Sequence, residues 1–150
     1  ADVNAAIGLA QIREYAKLLE ERKRVFNTYT QAFENCNWAI VPPSIEGDKE
    51  SSYHIYALRI KDFTEEQRDR MIDEIAKSEV AVNVHFIPMP MLSFFNSLGY
   101  DIKDYPQAYE NFKGEISLPI YPQLDEEKLA FIIDTVKAAY RKVAGDKAVE

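Results

Sequence analysis

The sequence is short of most of what a self-contained chemical site needs. Cys36 is the one cysteine in 150 residues, so no internal disulfide can form, and a reducing, cytoplasmic setting is expected. Glycine is scarce: its five residues are scattered at positions that read as helix ends or turns, and no Gly-rich loop is available to cradle a phosphate. The two histidines, His54 and His85, lie far apart, and neither has a partner at ligand spacing, which argues against a metal site. No apolar run reaches the ~18 residues that a membrane-spanning helix requires. Positive charge is also in deficit. With 18 Lys and Arg against 25 Asp and Glu, the net charge of −7 argues against a nucleic-acid partner, which would ask for a basic stripe to meet phosphates. The densest basic run, "EERKRV", reads as a solvated helix face.

What is present is patterned. Tyr15, Leu18, Leu19, Arg22, Phe26, Tyr29 and Phe33 recur at steps of three and four, which predicts one amphipathic helix over 2–35. Such a helix would be about 50 Å long, more than a domain of this size needs. Its first third, preceded only by Asp2 as a weak cap, is apolar around most of its circumference, with Val3, Ala5, Ala6, Ile7, Gly8, Leu9 and Ala10. A helix that is apolar on all sides is buried on all sides, so this end is expected to pack on something further.

Residues 38–41 read as a short strand stopped by Pro42 and Pro43, with an exposed loop beyond. "SSYHIYALRI" (51–60) predicts a strand through most of its length. Alternation then puts Tyr53, Ile55, Ala57 and Arg59 on one face and His54, Tyr56, Leu58 and Ile60 on the other. A capping box from Thr64 to Gln67 opens a surface helix with Met71, Ile72 and Ile75 inward. "VAVNVHFIP" (80–88) predicts a second strong strand, ended by Pro88. Short helices follow in "MPMLSFFNSLGY", closed by Gly99, and in "YPQAYENFKG", closed by Gly114. "ISLPIYP" suits an edge strand because of its prolines. Asp125 then caps a long helix with the stripe Leu129, Ile132, Ile133, Val136 and Tyr140, and the ending "AGDKAVE" is expected to fray. The order α-β-β-α-β-α-α-β-α predicts a two-layer α+β domain: an antiparallel or mixed sheet of roughly three or four strands covered by helices, with a long N-terminal helix.

Catalytic patterns are sparse. Ser52 and His54 would share a strand face, yet nothing nearby suggests an oxyanion pocket. The acid pairs Glu65-Glu66 and Glu126-Glu127 fall in first turns of helices, where they favour the macrodipole. "NVHFIPMPMLSFF" stands apart: a histidine at a strand end, a proline-pinned turn and a Met/Phe cluster could line a pocket mouth, with His85 as the polar group against an apolar wall. A satisfied structural histidine is the competing reading for His85 and still more for His54.

The segments "ADVNAAIGLAQI", "SSYHIYALRI", "VAVNVHFIPMP", "LGY", "YPQAYE" and "ISLPIYPQLDEEKLAFII" occur in an order and spacing that resemble the C-terminal part of the DegT/StrS family. These are pyridoxal phosphate-dependent aminotransferases acting on keto sugars attached to nucleotides. The resemblance covers nearly the whole chain and implies that residues 1–150 are the small domain of a fold-type-I enzyme more than twice this length, starting just after the family's Asn-Tyr-Arg segment. The cofactor lysine, the acid that pairs with the pyridine nitrogen and the phosphate-binding groups would lie in a large domain not present here. No catalytic or cofactor-binding residue is therefore expected in this chain, and no activity from it alone. The opening helix would pack against that large domain and a dimer mate.

The same resemblance places His85, in the family's "VHY-I-P-L-H" turn, beside the sugar-nucleotide pocket, together with Phe86. Phe86 stands where the family often has Tyr, and Pro90 where many members show a second histidine. Both changes would make the pocket edge less polar. The implied reaction moves an amino group from an amino acid, glutamate being expected, to a keto group of the nucleotide-linked sugar. Rival expectations are a sugar dehydratase of the same family, in which the internal lysine is replaced by His, a non-catalytic regulatory or binding domain, and a self-standing small-molecule binder.

Overall fold

A computed structural model describes residues 2–145. The opening helix, α1 (Asp2–Phe33), runs unbroken, as its three-four periodicity predicts. Asp2 lies within it. Only its second half enters the core, through Val25, Phe26, Tyr29 and Phe33. Val3 and Ile12, each 74% exposed, stand in solvent with Ile7 and Leu9. The basic run on α1 is less solvated than its charge suggests, since an Arg24 N–H donates to the Leu124 carbonyl at 2.5 Å.

The strands β1 (Ala39–Ile40), β4 (Tyr56–Ile60) and β5 (Glu115–Leu118) form an antiparallel sheet in the order β1-β4-β5. Between them β2 (Ile45–Glu46) and β3 (Lys49–Glu50) make a separate hairpin around Gly47 and Asp48. The helices α2 (Glu65–Ala76) and α5 (Glu126–Ala144) share one apolar cluster with α1 and the sheet. Their caps are those read from sequence. Thr64 and Gln67 form the capping box, and Asp125 accepts from the Lys128 amide. Two short helices, α3 (Ser93–Ser97) and α4 (Pro106–Lys113), precede β5. The architecture is the expected α+β, with a three-stranded and a two-stranded antiparallel sheet. Of the ending 144–150 expected to fray, Ala144 is instead the last residue of α5 and Gly145 its cap, and 146–150 lie outside the described residues.

Register decides what each sheet face carries. Tyr56 pairs with Leu118 and Leu58 with Ile116, and all four are buried in the core. Ala57 pairs with Ser117 and Arg59 with Glu115, so these four share the opposite face. Edge-on aromatic contacts fix the core side: Phe26 meets Tyr56 at 4.8 Å and Tyr53 at 5.3 Å between ring centroids.

Two strand expectations need correction. The strand drawn through 51–60 begins only at Tyr56. Tyr53 adopts φ 54°, its amide donates to Ser51 Oγ at 3.0 Å, and its hydroxyl donates to Glu50 Oε1. That local turn breaks the alternation and turns Tyr53 into the same core as Tyr56. The strand expected over 80–88 is not one either: its pairing with β5 is a single antiparallel bridge, Asn83 with Ser117. The reason lies in where its hydrogen-bonding groups go. The Val84 amide is taken by the Asn83 side chain at 2.8 Å and the His85 amide by the Glu115 carboxyl at 2.9 Å, while Pro88 has no N–H to give.

Candidate functional site

The face of the sheet turned away from the core is the floor of a cleft. Arg59 and Ala57 from β4 and Glu115 from β5 lie beneath it; α4 contributes Asn111 and Phe112, and the 80–88 segment contributes His85, Phe86 and Pro88. Pro42, Pro43 and Glu46 also line it, and the open cleft holds about 650 Å³. A second depression of about 380 Å³ also borders His85 and is lined by His54, Asn83 and Ser117. The two histidines, far apart in sequence, thus border one hollow.

His85 and Phe86 sit at the turn as the sequence places them. Their rings meet edge to face at 4.6 Å, and the peptide bond between them is cis. Phe86 is 73% exposed and leads a run of exposed apolar residues, including Met89, Phe94 and Leu98. The Met/Phe cluster is therefore a surface wall rather than core. His85 is half-buried, and its Nδ1 is buried with no hydrogen-bond partner, which leaves the other ring nitrogen to any polar contact. His54 is exposed.

The residues missed by sequence reasoning are Glu115, Arg59 and Asn111. Glu115 is only 4% exposed and accepts from the His85 amide and, at 2.5 Å, from the Ser117 hydroxyl. Burial pushes its carboxyl above the ordinary glutamate range, while the bonds from Ser117 and His85 pull the other way. Arg59, its cross-strand neighbour, donates to Asn111 Oδ1 on α4. An acid opening a strand buried at every position, "EISL", was the available signal.

Pyridoxal phosphate, implied by the resemblance, needs a lysine held neutral in an enclosed setting. Among the described residues no lysine is buried. Lys23, Lys113 and Lys128 are each held above the usual lysine value, chiefly by hydrogen bonds to Glu50, Glu110 and Asp125. That is the wrong direction for a nucleophilic amine. The described residues do not by themselves fit the cofactor. They do bring together a half-buried imidazole, one exposed phenyl ring against it, and a polar floor. Among the described residues no cluster of metal-ligating side chains occurs, and no helix is long and apolar enough to cross a membrane.

The α+β fold itself is matched among known proteins. Residues 1–137 match the model of the DegT/DnrJ/EryC1/StrS aminotransferase family. The Streptococcus pneumoniae protein Spr1654, assigned as a sugar aminotransferase, superposes in its apo form with a TM-score of 0.90 at 35% identity, over 96% of this chain and 36% of that one. The same protein has also been solved in pyridoxal phosphate and pyridoxamine phosphate forms. A UDP-4-amino-4,6-dideoxy-N-acetyl-beta-L-altrosamine transaminase from Campylobacter jejuni is 28% identical over 144 residues, 95% of this chain and 38% of its own length. An uncharacterised protein from Methanocaldococcus jannaschii, MJ1066, is 30% identical over 91% of this chain and 36% of its own length. The chain belongs to the DegT/DnrJ/EryC1/StrS aminotransferase family. It spans little more than a third of the length of these relatives.

Proposed function

We propose that residues 1–150 are the C-terminal small domain of a pyridoxal phosphate-dependent aminotransferase acting on a nucleotide-linked keto sugar, and that the domain forms one wall of the substrate cleft. Glutamate is the proposed amino donor. The observation that carries this reading is the His85 turn: an imidazole whose Nδ1 is buried, so that a ligand would meet Nε2, flanked by the exposed Phe86 ring and a polar floor. A sugar asks for such a mixture, because apolar rings cover its C–H faces while a few polar groups fix its hydroxyls. His85 is proposed to hydrogen-bond the sugar or its linked phosphates, and Phe86 to exclude water beside it.

The cofactor-binding groups, the lysine among them, are assigned to parts of the protein outside this chain, so the domain alone is inactive. The exposed first third of α1, with Val3, Ile7, Leu9 and Ile12, supports a covering partner, proposed as the large domain and the second subunit of a homodimer. A cytoplasmic location goes with this reading.

The test uses the full-length protein supplied with pyridoxal phosphate, glutamate and a panel of UDP- and dTDP-linked keto sugars, with 2-oxoglutarate release as the readout. Turnover that requires both glutamate and a sugar supports the reading. Loss of water from the sugar without use of glutamate assigns a dehydratase instead, and binding without either reaction assigns a non-catalytic domain.

A further inference from the structure

We propose that Glu115 is the positioning residue for His85, a latch that sets the imidazole by holding its backbone; the proposal rests on the reading of the His85 turn as the sugar-facing wall. The 80–88 segment is tied to the sheet through one backbone bridge, Asn83 with Ser117. Two residues further on, the His85 amide donates not to a carbonyl but to Glu115 Oε2 at 2.9 Å. The other carboxylate oxygen accepts from the Ser117 hydroxyl, so one side chain ties the strand and the turn into a closed loop.

The imidazole makes no such bond for itself. Histidines placed to act on a ligand commonly fix their orientation by giving the second ring nitrogen to an acceptor. Here Nδ1 is buried and unpartnered. What remains to orient the ring is its edge-on contact with Phe86 and the geometry of its own backbone, and that backbone is held by Glu115.

The cost of the arrangement supports a role. A carboxyl buried to 4% exposure is expensive to keep, and a backbone ladder would satisfy the same amide without it. The charged groups around it are the buried Arg68 of α2 and Arg59 of β4, and neither makes an ion pair with it. Arg68 is committed to Asp69, Glu65 and the Phe112 carbonyl, and Arg59 to Asn111. The carboxyl's direct bonds thus go to the turn and to the residue that bridges it.

The test compares Glu115→Leu and Glu115→Gln in the full-length protein. Leucine fills similar space and accepts nothing. Glutamine can take the His85 amide on its oxygen while its NH₂ donates to Ser117 Oγ. Hydrogen–deuterium exchange over 84–87 is expected to rise about tenfold in Glu115→Leu, with β4 and α2 unchanged, and to return toward the wild-type rate in Glu115→Gln. In amino transfer from UDP-4-amino-4,6-dideoxy-N-acetyl-beta-L-altrosamine to 2-oxoglutarate, Glu115→Leu should raise the sugar KM by about tenfold with a smaller change in kcat, and Glu115→Gln should restore it. Exchange unchanged in Glu115→Leu, exchange raised evenly across the sheet, or a glutamine no better than leucine would overturn the proposal. A protein that turns over neither this sugar nor the panel overturns the reading of the site, while the exchange pattern still decides the latch.

Discussion

The hydroxyl of Tyr29, in the middle of the core-facing stripe of α1, donates to the carbonyl of Pro119 at 3.0 Å, just past the end of β5. A residue at helical spacing and the exit of a strand ninety positions later are thereby fixed to one another. Tyr29→Phe keeps the ring and strands the carbonyl. It should lower stability by about 1–2 kcal/mol, seen as an earlier urea midpoint with an unchanged slope. An unaltered midpoint would mean that water serves Pro119 equally well.

The same burial makes the fold sensitive to alkali. Burial pushes the Tyr56 hydroxyl from its ordinary value of 10 up to about 12 and raises that of Tyr29 further. A pKa raised in the folded state means that the native protein keeps a proton that the unfolded chain gives up. The contribution of these hydroxyls is therefore fully present below pH 10 and is lost as pH rises from 10 toward 12. Urea midpoints should fall in wild type as pH is raised above 10, and Tyr56→Phe should flatten the decline.

Gly114 is demanded by closeness rather than by turn geometry. A Cβ there would lie 2.5 Å from the Ile60 carbonyl oxygen, backbone that cannot step aside because the Ile60 amide already donates to the Gly114 carbonyl at 2.7 Å. Gly114→Ala should cost about 1–3 kcal/mol, by the usual penalty for overpacking. It should also loosen the start of β5, which carries Glu115. Thermal unfolding reads the first effect and exchange at 115–118 the second.

Glu115 predicts a dependence of opposite reach, in acid. Its folded pKa lies above the ordinary 4.5 because it is buried, so the folded state binds the proton more tightly than the unfolded one. Its contribution is fully present below the unfolded value and declines as pH rises through the folded one. Glutamine does not titrate. The stability of Glu115→Gln relative to wild type should therefore rise as pH climbs from 4.5 toward neutrality. A difference that stays constant with pH would show that the bonds from Ser117 and His85 offset the burial of the carboxyl, and would contradict the raised value.

Local signals carried most of the fold. Thr64 with Gln67 and Asp125 with Lys128 are caps complete within four residues, and the stripe of α1 is periodic along itself. What escaped depends on partners distant in sequence. The 80–88 segment has strand composition, but the acceptor for its His85 amide is a carboxyl thirty residues away, and no window around His85 contains it. Tyr53 left its strand because the Ser51 hydroxyl competes for its amide. The β2–β3 hairpin was open to reading, since Gly47 at φ 62° and Asp48 form a two-residue turn of a familiar kind, yet the segment passes for a loop because its strands are two residues each. At the site, His85 stood out at its proline-pinned turn and Phe86 joined it through a resemblance, whereas Glu115 and Arg59 emerged only when register put them on one face, and Asn111 only when α4 brought it to Arg59.

The most direct measurement separates the two halves of amino transfer in the full-length protein carrying His85→Ala. The absorbance change of bound cofactor on mixing with glutamate reports the donor half, and its reversal by a nucleotide-linked keto sugar reports the acceptor half. The account predicts a donor half within about twofold of wild type and an acceptor half weakened by about tenfold or more, seen in the sugar concentration required. Both halves unchanged, or both slowed alike, would contradict the placement of His85 on the sugar side of the cleft.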